Sequence, residues 1–586
     1  MKRTSNYDKN PVIPIMGFDG HAWQGYDAIG ARLRGAAAAL GCARTIVTVD
    51  CYPGVREDEV IGALLAALQP ALTLRAGEAA LDKEAVERLV ARNVTGDRVF
   101  GVLSCHRMEE FFDAARLAAA RAKAQAVTEG IVLIVGVGAS LLAQPDVLVY
   151  ADLARWEIQQ RYRRGEKGNW LCDNAGEDVL RLYKRGFFVD WRVADRHKKD
   201  LLGRMDYVLD TNLKDNPKML TGAALLGSLE QAAARPFRVA PYFDPGVWGG
   251  QWIKDVCDMD RSARNYAWGF DCVPEENSLL LKIGDIVIEL PAIDLVFTQP
   301  VKLLGDRVHA RFGTEFPIRF DFLDTMGGQN LSLQVHPLTE YIQETFGMHY
   351  TQDESYYMLD VDEAADPVVY LGLKSPVRRE EMLNALERAQ SGVPFDAMRY
   401  VNAIPVKKHD HVLIPAGTVH CSGTGTMVLE ISATPYIFTF KLWDWDRVGL
   451  DGKPRPVHLE HGRRNIQFDR DTSWVRANLV DRVEPLAGGE GWREERTGLH
   501  EREFIETRRH WFTGTVPHDT LGGVNVLNLV QGEEAVVKSP EGRFEPFVVH
   551  YAETFIVPAA VGRYTISPHG AGAGQELATI KAYVRT

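Results

Sequence analysis

The texture of the chain changes near residue 235, and that change decides what it can fold into. Before it, apolar runs alternate with Ala-rich helical stretches. Val12–Phe18, Ala43–Val49, Val99–Ser104, Ile131–Gly136 and Val147–Tyr150 are predicted buried strands. Asp27–Leu40, Asp82–Arg92, Met108–Gln125 and Arg155–Arg164 are predicted helices. Such alternation predicts an α/β region, a parallel sheet covered by helices on both faces. After residue 235 the strands are short, and Gly, Pro and Asp punctuate them every ~8–12 residues. SLLLKIGDIVIELP, NLSLQVHP, ESYYMLDV, HVLIPAGTVH and TMVLEISA carry the rhythm of an antiparallel sandwich or barrel. One helix, Arg378–Ala389, interrupts it, and a second β-rich stretch runs from about 500 to 586. The charged segment Glu484–Arg496 is expected to link the two. A chain of 586 residues is too long for one core, so three domains are expected, at 1–235, 236–495 and 496–586.

The formal net charge of -12 argues against nucleic acid or an anionic membrane as partner, while leaving room for a small anionic substrate in a locally basic site. Seven cysteines without a CxxC pair make a disulfide framework or a cysteine-based zinc site unexpected and fit a reducing cytoplasm. No signal peptide is read at the N-terminus, and no apolar run reaches membrane-spanning length.

Within the β region, Gln334 and His336 are two apart on a predicted strand, so their side chains share a face. Glu354 opens the strand ESYYMLD, and His420 ends IPAGTVH after a Pro-Gly turn. Two imidazoles, a carboxylate and an amide form a donor set for zinc or another divalent ion with a position left for substrate. On spacing alone, the same residues also suit polar pairs on a solvent face.

NLSLQVHP, DESYYMLD, IPAGTVHCSGTG and LEISATPYIFTFKLWDWDR followed by GKPRPVHLE, in that order, resemble the type I phosphomannose isomerases, a cupin (jelly-roll) family. Val247–Gly250 and Ala267–Asp285 are similar to the family's opening, and the resemblance covers about residues 238–586. It implies that Gln334, His336, Glu354 and His420 are zinc ligands. It also implies interconversion of mannose 6-phosphate and fructose 6-phosphate, or of a close sugar analogue. In that reaction a proton moves between C1 and C2 through an enediol, which calls for a polarised carbonyl, a proton shuttle and cations facing developing oxyanion charge. Lys441 and Arg447 are the candidate catalytic cations; six apart on a strand, both face one side. Their alternative role is solvated charge beside a core of Phe440, Leu442 and Trp445.

Three departures bear on substrate. Lys441 stands where the family usually has Arg and lacks its planar fork. Gln352 stands where the family usually has Lys, two residues before the zinc Glu. Cys421–Gly423 replaces a small AIG that follows the last His. These leave open a sugar that carries no phosphate, and also a sugar-binding or scaffold protein that has lost its chemistry.

Residues 11–52 present strand, Gly-rich loop, helix and strand. Gly20 to Gly25 keeps the G-x-x-x-x-G spacing of a phosphate-cradling loop, but Tyr26 and Asp27 replace its Lys and Ser or Thr, so Mg-ATP would be held poorly. VTEGIVLIVGVGASLLAQPDVLVYADLARWEIQQRYRRG and the following YKRGFFVDWRVADRHKKDLLGRMDYVLDTN resemble the uridine kinase and phosphoribulokinase branch of P-loop kinases, with Asp50 at its D-x-F-Y acid. This implies a degenerate kinase domain. A structural appendage and a bifunctional kinase–isomerase, with Arg161, Arg163 and Arg164 clamping phosphate, are the alternatives.

Overall fold

The computed structural model describes residues 5–433, 436–450, 452, 455–498 and 500–586. The chain divides into two compact units. One comprises Val12–Ala232 with Ser278–Thr298; the other comprises Met1–Pro11, Ala233–Asn277 and Gln299–Thr586. The units do not follow the expected division at residue 235: an N-terminal stretch belongs with the β-rich unit, and a later segment belongs with the α/β unit. No helix among the described residues is long and apolar enough to cross a membrane.

The α/β unit is built on a seven-stranded sheet in the order Ala22–Gln24, Lys218–Thr221, Tyr207–Asp210, Val147–Asp152, Arg44–Cys51, Gly130–Gly136, Leu72–Arg75. The strands from Tyr207–Asp210 to Leu72–Arg75 are parallel, and the other two add antiparallel at one edge. Helices supply the cover that a sheet with two apolar faces needs; Val47, Val49, Leu133 and Ile134 are fully buried.

Several N-terminal expectations need correction. Val12–Ile15 lies outside this sheet and pairs in parallel with Ser278–Ile283. The expected glycine loop is not formed as a loop: Ala22–Gln24, between Gly20 and Gly25, is an edge strand paired with Lys218–Thr221. Edge pairing spends in-plane on that neighbour the backbone groups a phosphate cradle would turn toward its ligand. Val99–Ser104 is not a strand. Arg161 is fully buried on the carbonyls of Gly54, Thr211 and Asn212, where it ties loops together instead of facing a ligand. Asp50 accepts the backbone N–H groups of Gly138 and Ser140, so its carboxylate fills the turn that follows Gly130–Gly136.

The β-rich unit holds two sandwiches. In the first, a six-stranded sheet runs His411–Ile414, Asp353–Val361, Thr426–Ala433, Arg319–Asp324, Trp268–Cys272, Tyr242–Asp244. It faces a five-stranded sheet in the order Val401–Pro405, Val368–Leu373, His420–Ser422, Leu333–Val335, Phe440–Trp443. All pairs are antiparallel, and successive strands largely alternate between sheets. The expected helix spans Arg379–Ala389. The second sandwich pairs six- and four-stranded sheets around an apolar core that includes Phe512, Leu527, Val537 and Tyr564. Glu484–Arg496 is not a linker: Glu484–Gly489 and Trp492–Gly498 form a hairpin at the edge of that sandwich.

Candidate metal centre

The site is assembled by strand register. Leu333–Val335 lies between two partners, and Gln334 faces His420 on one side and Lys441 on the other. Residues directly opposite in an antiparallel pair share a face, with Cβ atoms ~5 Å apart. His336, two residues past Gln334, follows onto that face. Glu354 comes from the opposing sheet.

His336 and His420 are wholly buried, as is the Glu354 side chain between them. His420 Nε2 lies 2.8 Å from Glu354 Oε1, and His336 Nε2 lies 3.1 Å from Glu354 Oε2. The Gln334 amide is 3.2 Å from His420 Nε2. Each imidazole has a backbone carbonyl at its other nitrogen: Phe438 O for His336 Nδ1 and Thr418 O for His420 Nδ1, both at 2.9 Å. A carbonyl can only accept, so Nδ1 carries the proton and the Nε2 lone pairs point inward. This outer bonding orients a metal-bound histidine.

The residues fit a divalent ion. His336, Glu354 and His420 bring ligand atoms within 4.8 Å of one another, and among the described residues they are the single such group of three or more. His336 Nε2 and Glu354 Oε1 are buried without a hydrogen-bond partner of good geometry. Ligands ~2.1 Å from a tetrahedral zinc stand ~3.4 Å apart, close to the spacings here. Burial alone would raise the Glu354 carboxyl, but the two imidazoles reverse this and hold it well below its usual range. Burial would lower His336, and the Glu354 carboxylate reverses that too, so its pKa is raised.

Gln352 supports the centre. Its Nε2 donates to Glu354 Oε2 at 2.9 Å, and its Oε1 accepts from Phe438 N, whose carbonyl in turn orients His336. Lys441 is half-buried on the rung of Gln334. Arg447 is not on that rung. The strand ends at Trp443, and Trp445 and Asp446 adopt positive φ, so the six-residue spacing does not keep both cations on one face. Arg447 instead bonds Asp444 Oδ1 and the carbonyls of Asn330 and Asp444. Cys421 is buried one residue after His420 and so faces away from the centre.

Further polar groups lie on the same face of the six-stranded sheet as Glu354. Arg319, Asp321, Glu430 and Tyr356 are all buried there. Their signal was present in RFDFLD, where charges alternate with Phe, and in TMVLEISA, where one carboxylate interrupts an apolar run.

A family model described as a domain of unknown function (DUF8485) matches residues 25–234. The mannose-6-phosphate isomerase ManA of Bacillus subtilis (strain 168) is 31% identical over 229 residues, 38% of this chain and 66% of that protein. The mannose-6-phosphate isomerase of Streptococcus mutans serotype c is 26% identical over 229 residues, 39% of this chain and 66% of that protein. The chain thus spans just under two thirds of the length of these curated relatives. Among solved structures, the mannose 6-phosphate isomerase from Bacillus subtilis overlays with a TM-score of 0.48 at 16% identity, covering 60% of this chain and all of that one. Homology to enzymes named as isomerases therefore covers about 38% of the chain.

Proposed function

We propose that the β-rich unit is a divalent-metal-dependent aldose–ketose isomerase acting on mannose 6-phosphate or a close sugar analogue. The observation that carries this is the pair of fixed imidazoles, His336 and His420, presenting Nε2 to one carboxylate, Glu354. Gln334, His336, Glu354 and His420 would hold the ion. When bound, zinc supplies Lewis-acid polarisation of a sugar carbonyl and orients two neighbouring oxygens.

The chain's own residues orient and shield that chemistry. The two sheets exclude bulk water from the ligand side chains, which strengthens every charge interaction inside. Gln352 fixes the carboxylate that fixes both imidazoles. Lys441, paired with Gln334 across the strands, would face oxyanion charge as the C2 proton is removed. Arg447 acts as a positioning residue: it ties the turn after Trp443 to Asn330, ahead of the Gln334 strand. The α/β unit contributes no phosphate cradle at Gly20–Gly25, so no kinase step is proposed.

The test is a coupled isomerisation assay on full-length protein with zinc restored. Wild type should interconvert an aldose and its ketose, and His336→Ala and His420→Ala should not. Absence of turnover on every hexose and hexose phosphate tried would refute the assignment.

A further inference from the structure

We propose that Lys581, on the inner face of the second sandwich, is a covalent attachment site for a small aldehyde, held as an imine on Nζ; this stands apart from the isomerase reading. Lys581 pairs across its strand with Leu527 on one side and Arg508 on the other. Directly paired residues share a face, and Leu527 lies in the apolar core, so the amine projects inward. Two residues away in either direction, Thr579 pairs with His510 and Tyr583 with Glu506, which follow onto the same face. His518 comes from the facing sheet, its ring 4.4 Å from that of His510. The interior is thus apolar at Phe512 and Leu577 and polar from His510 to Glu506.

The charges at this polar end are matched with one left over. Arg508 takes both carboxylates, Glu506 Oε1 at 2.7 Å and Glu494 Oε1 at 3.1 Å. Glu494 is further engaged by His510 Nε2 at 3.2 Å, and Glu506 by the Tyr583 hydroxyl at 2.6 Å. Lys581 makes no hydrogen bond and no ion pair with any described residue; its Nζ stands 5.7 Å from the centre of the Tyr583 ring. Nor is that amine sealed. Both ring nitrogens of His518 are covered and without a partner, whereas Lys581 keeps 7% of its surface and its Nζ is not among the covered atoms. Arg508 beside it keeps 30% of its side-chain surface, so the amine opens to solvent on that side.

An unpaired amine here is a nucleophile, because its charged form has no carboxylate to hold it and lies beside a guanidinium. Burial lowers its pKa to about 8; Glu494 pulls it up and Arg508 pushes it down. At neutral pH about a tenth of such an amine is uncharged, against less than about a thousandth of an ordinary lysine. The Nζ lone pair adds to the aldehyde carbon, and the C–N bond forms as the C=O π bond breaks. The carbonyl oxygen then leaves as water with the two hydrogens of the amine, and C=N remains. A carboxylate or phosphate entering this end would meet Glu494 and Glu506, whereas an uncharged aldehyde meets no such repulsion.

The experiment treats zinc-loaded full-length protein at neutral pH with glyceraldehyde and sodium cyanoborohydride, which reduces the imine to a stable amine, and locates the added mass by peptide mass spectrometry. Lys581 should be labelled at least about tenfold faster than the exposed Lys83 and Lys408. Its rate should saturate as glyceraldehyde is raised, as for a site that holds the aldehyde before the bond forms, while the rates at Lys83 and Lys408 stay proportional to concentration. Labelling of Lys581 no faster than that of the exposed lysines overturns the proposal, and so does a rate that never saturates. Arg508→Gln should slow labelling at Lys581 by about tenfold, because Glu494 and Glu506 become free to hold the ammonium form; unchanged or faster labelling in folded Arg508→Gln protein also overturns it. Lys581→Arg should lose this label alone, with zinc content unchanged, so the outcome is read independently of isomerase activity.

Discussion

Each β-sandwich buries two neighbouring histidines, but the pairs are built differently. In the first, His336 and His420 flank a shared carboxylate, and both Nδ1 atoms are engaged by backbone carbonyls. In the second, the His510 and His518 rings lie 4.4 Å apart, and His518 stacks flat on Tyr564. Glu494 reaches His510 alone, at 3.2 Å, and both ring nitrogens of His518 lack a partner. The electrostatics differ accordingly. Burial lowers His510 to about 4 and pushes His518 well below its ordinary value, with Lys581 adding to both shifts. Burial also lowers Lys581 itself, to about 8. The comparison teaches that two adjacent imidazoles do not make a metal centre. What suits His336 and His420 to a cation is a carboxylate shared between them and a hydrogen-bond acceptor behind each ring, which turns the free lone pairs to one point.

The largest break expected in this contrast is loss of a ligand. His336→Ala or His420→Ala should abolish stoichiometric zinc binding and isomerase activity, whereas His518→Phe, which keeps a flat ring against Tyr564, should leave zinc content unchanged; elemental analysis and the coupled assay check both. Next comes the support behind the centre. Gln352→Ala should weaken zinc affinity by about 10–100-fold, read by competition with a chelator, because Glu354 loses a donor that orients it. Lys441→Ala should lower kcat by about 100-fold with little change in zinc affinity, and Arg447→Ala should cost less than about tenfold.

A smaller effect is a loss of stability in acid, to which His411 of the first sandwich, lowered by burial to about 3, contributes beside the His510 and His518 pair of the second. His510 and His518 are depressed in the folded state, so on acidification the unfolded chain binds protons first. Stability is then full above the unfolded value of ~6.5 and falls as pH drops toward 4, by up to about 3 kcal/mol for His510. Urea denaturation at pH 7 and pH 4.5 should show this loss, and His518→Phe should reduce it. An acid loss of the same size in the variant would show that these rings do not carry it.

Much of the β region was legible because its signals are local. Period-two spacing placed Gln334 and His336 on one face, and the Pro-Gly turn marked His420 as the end of the run IPAGTVH, whereas the structure starts a strand there. Glu354 could be proposed from the family pattern, but its position between the imidazoles depends on two sheets packing face to face, which no local pattern encodes. Arg447 was misread because strand parity was carried past Trp443, where two residues at positive φ break it. Gln352 was noticed only as a lost cation; its tie to Glu354 needs the fold. In the α/β unit, alternation gave the parallel sheet. It could not show that the first apolar run leaves that sheet to pair with Ser278–Ile283, a partner more than 260 residues away. The glycine spacing around Ala22–Gln24 was equally blind to its neighbour Lys218–Thr221.

The central claim is that one cation is held by side chains from opposing sheets. The most direct test is zinc stoichiometry of the purified full-length chain by elemental analysis, beside His336→Ala and His518→Phe. The account predicts one ion per chain in wild type, none in His336→Ala, and one in His518→Phe. An ion retained in folded His336→Ala, or a wild type that takes up none when zinc is supplied, would contradict it.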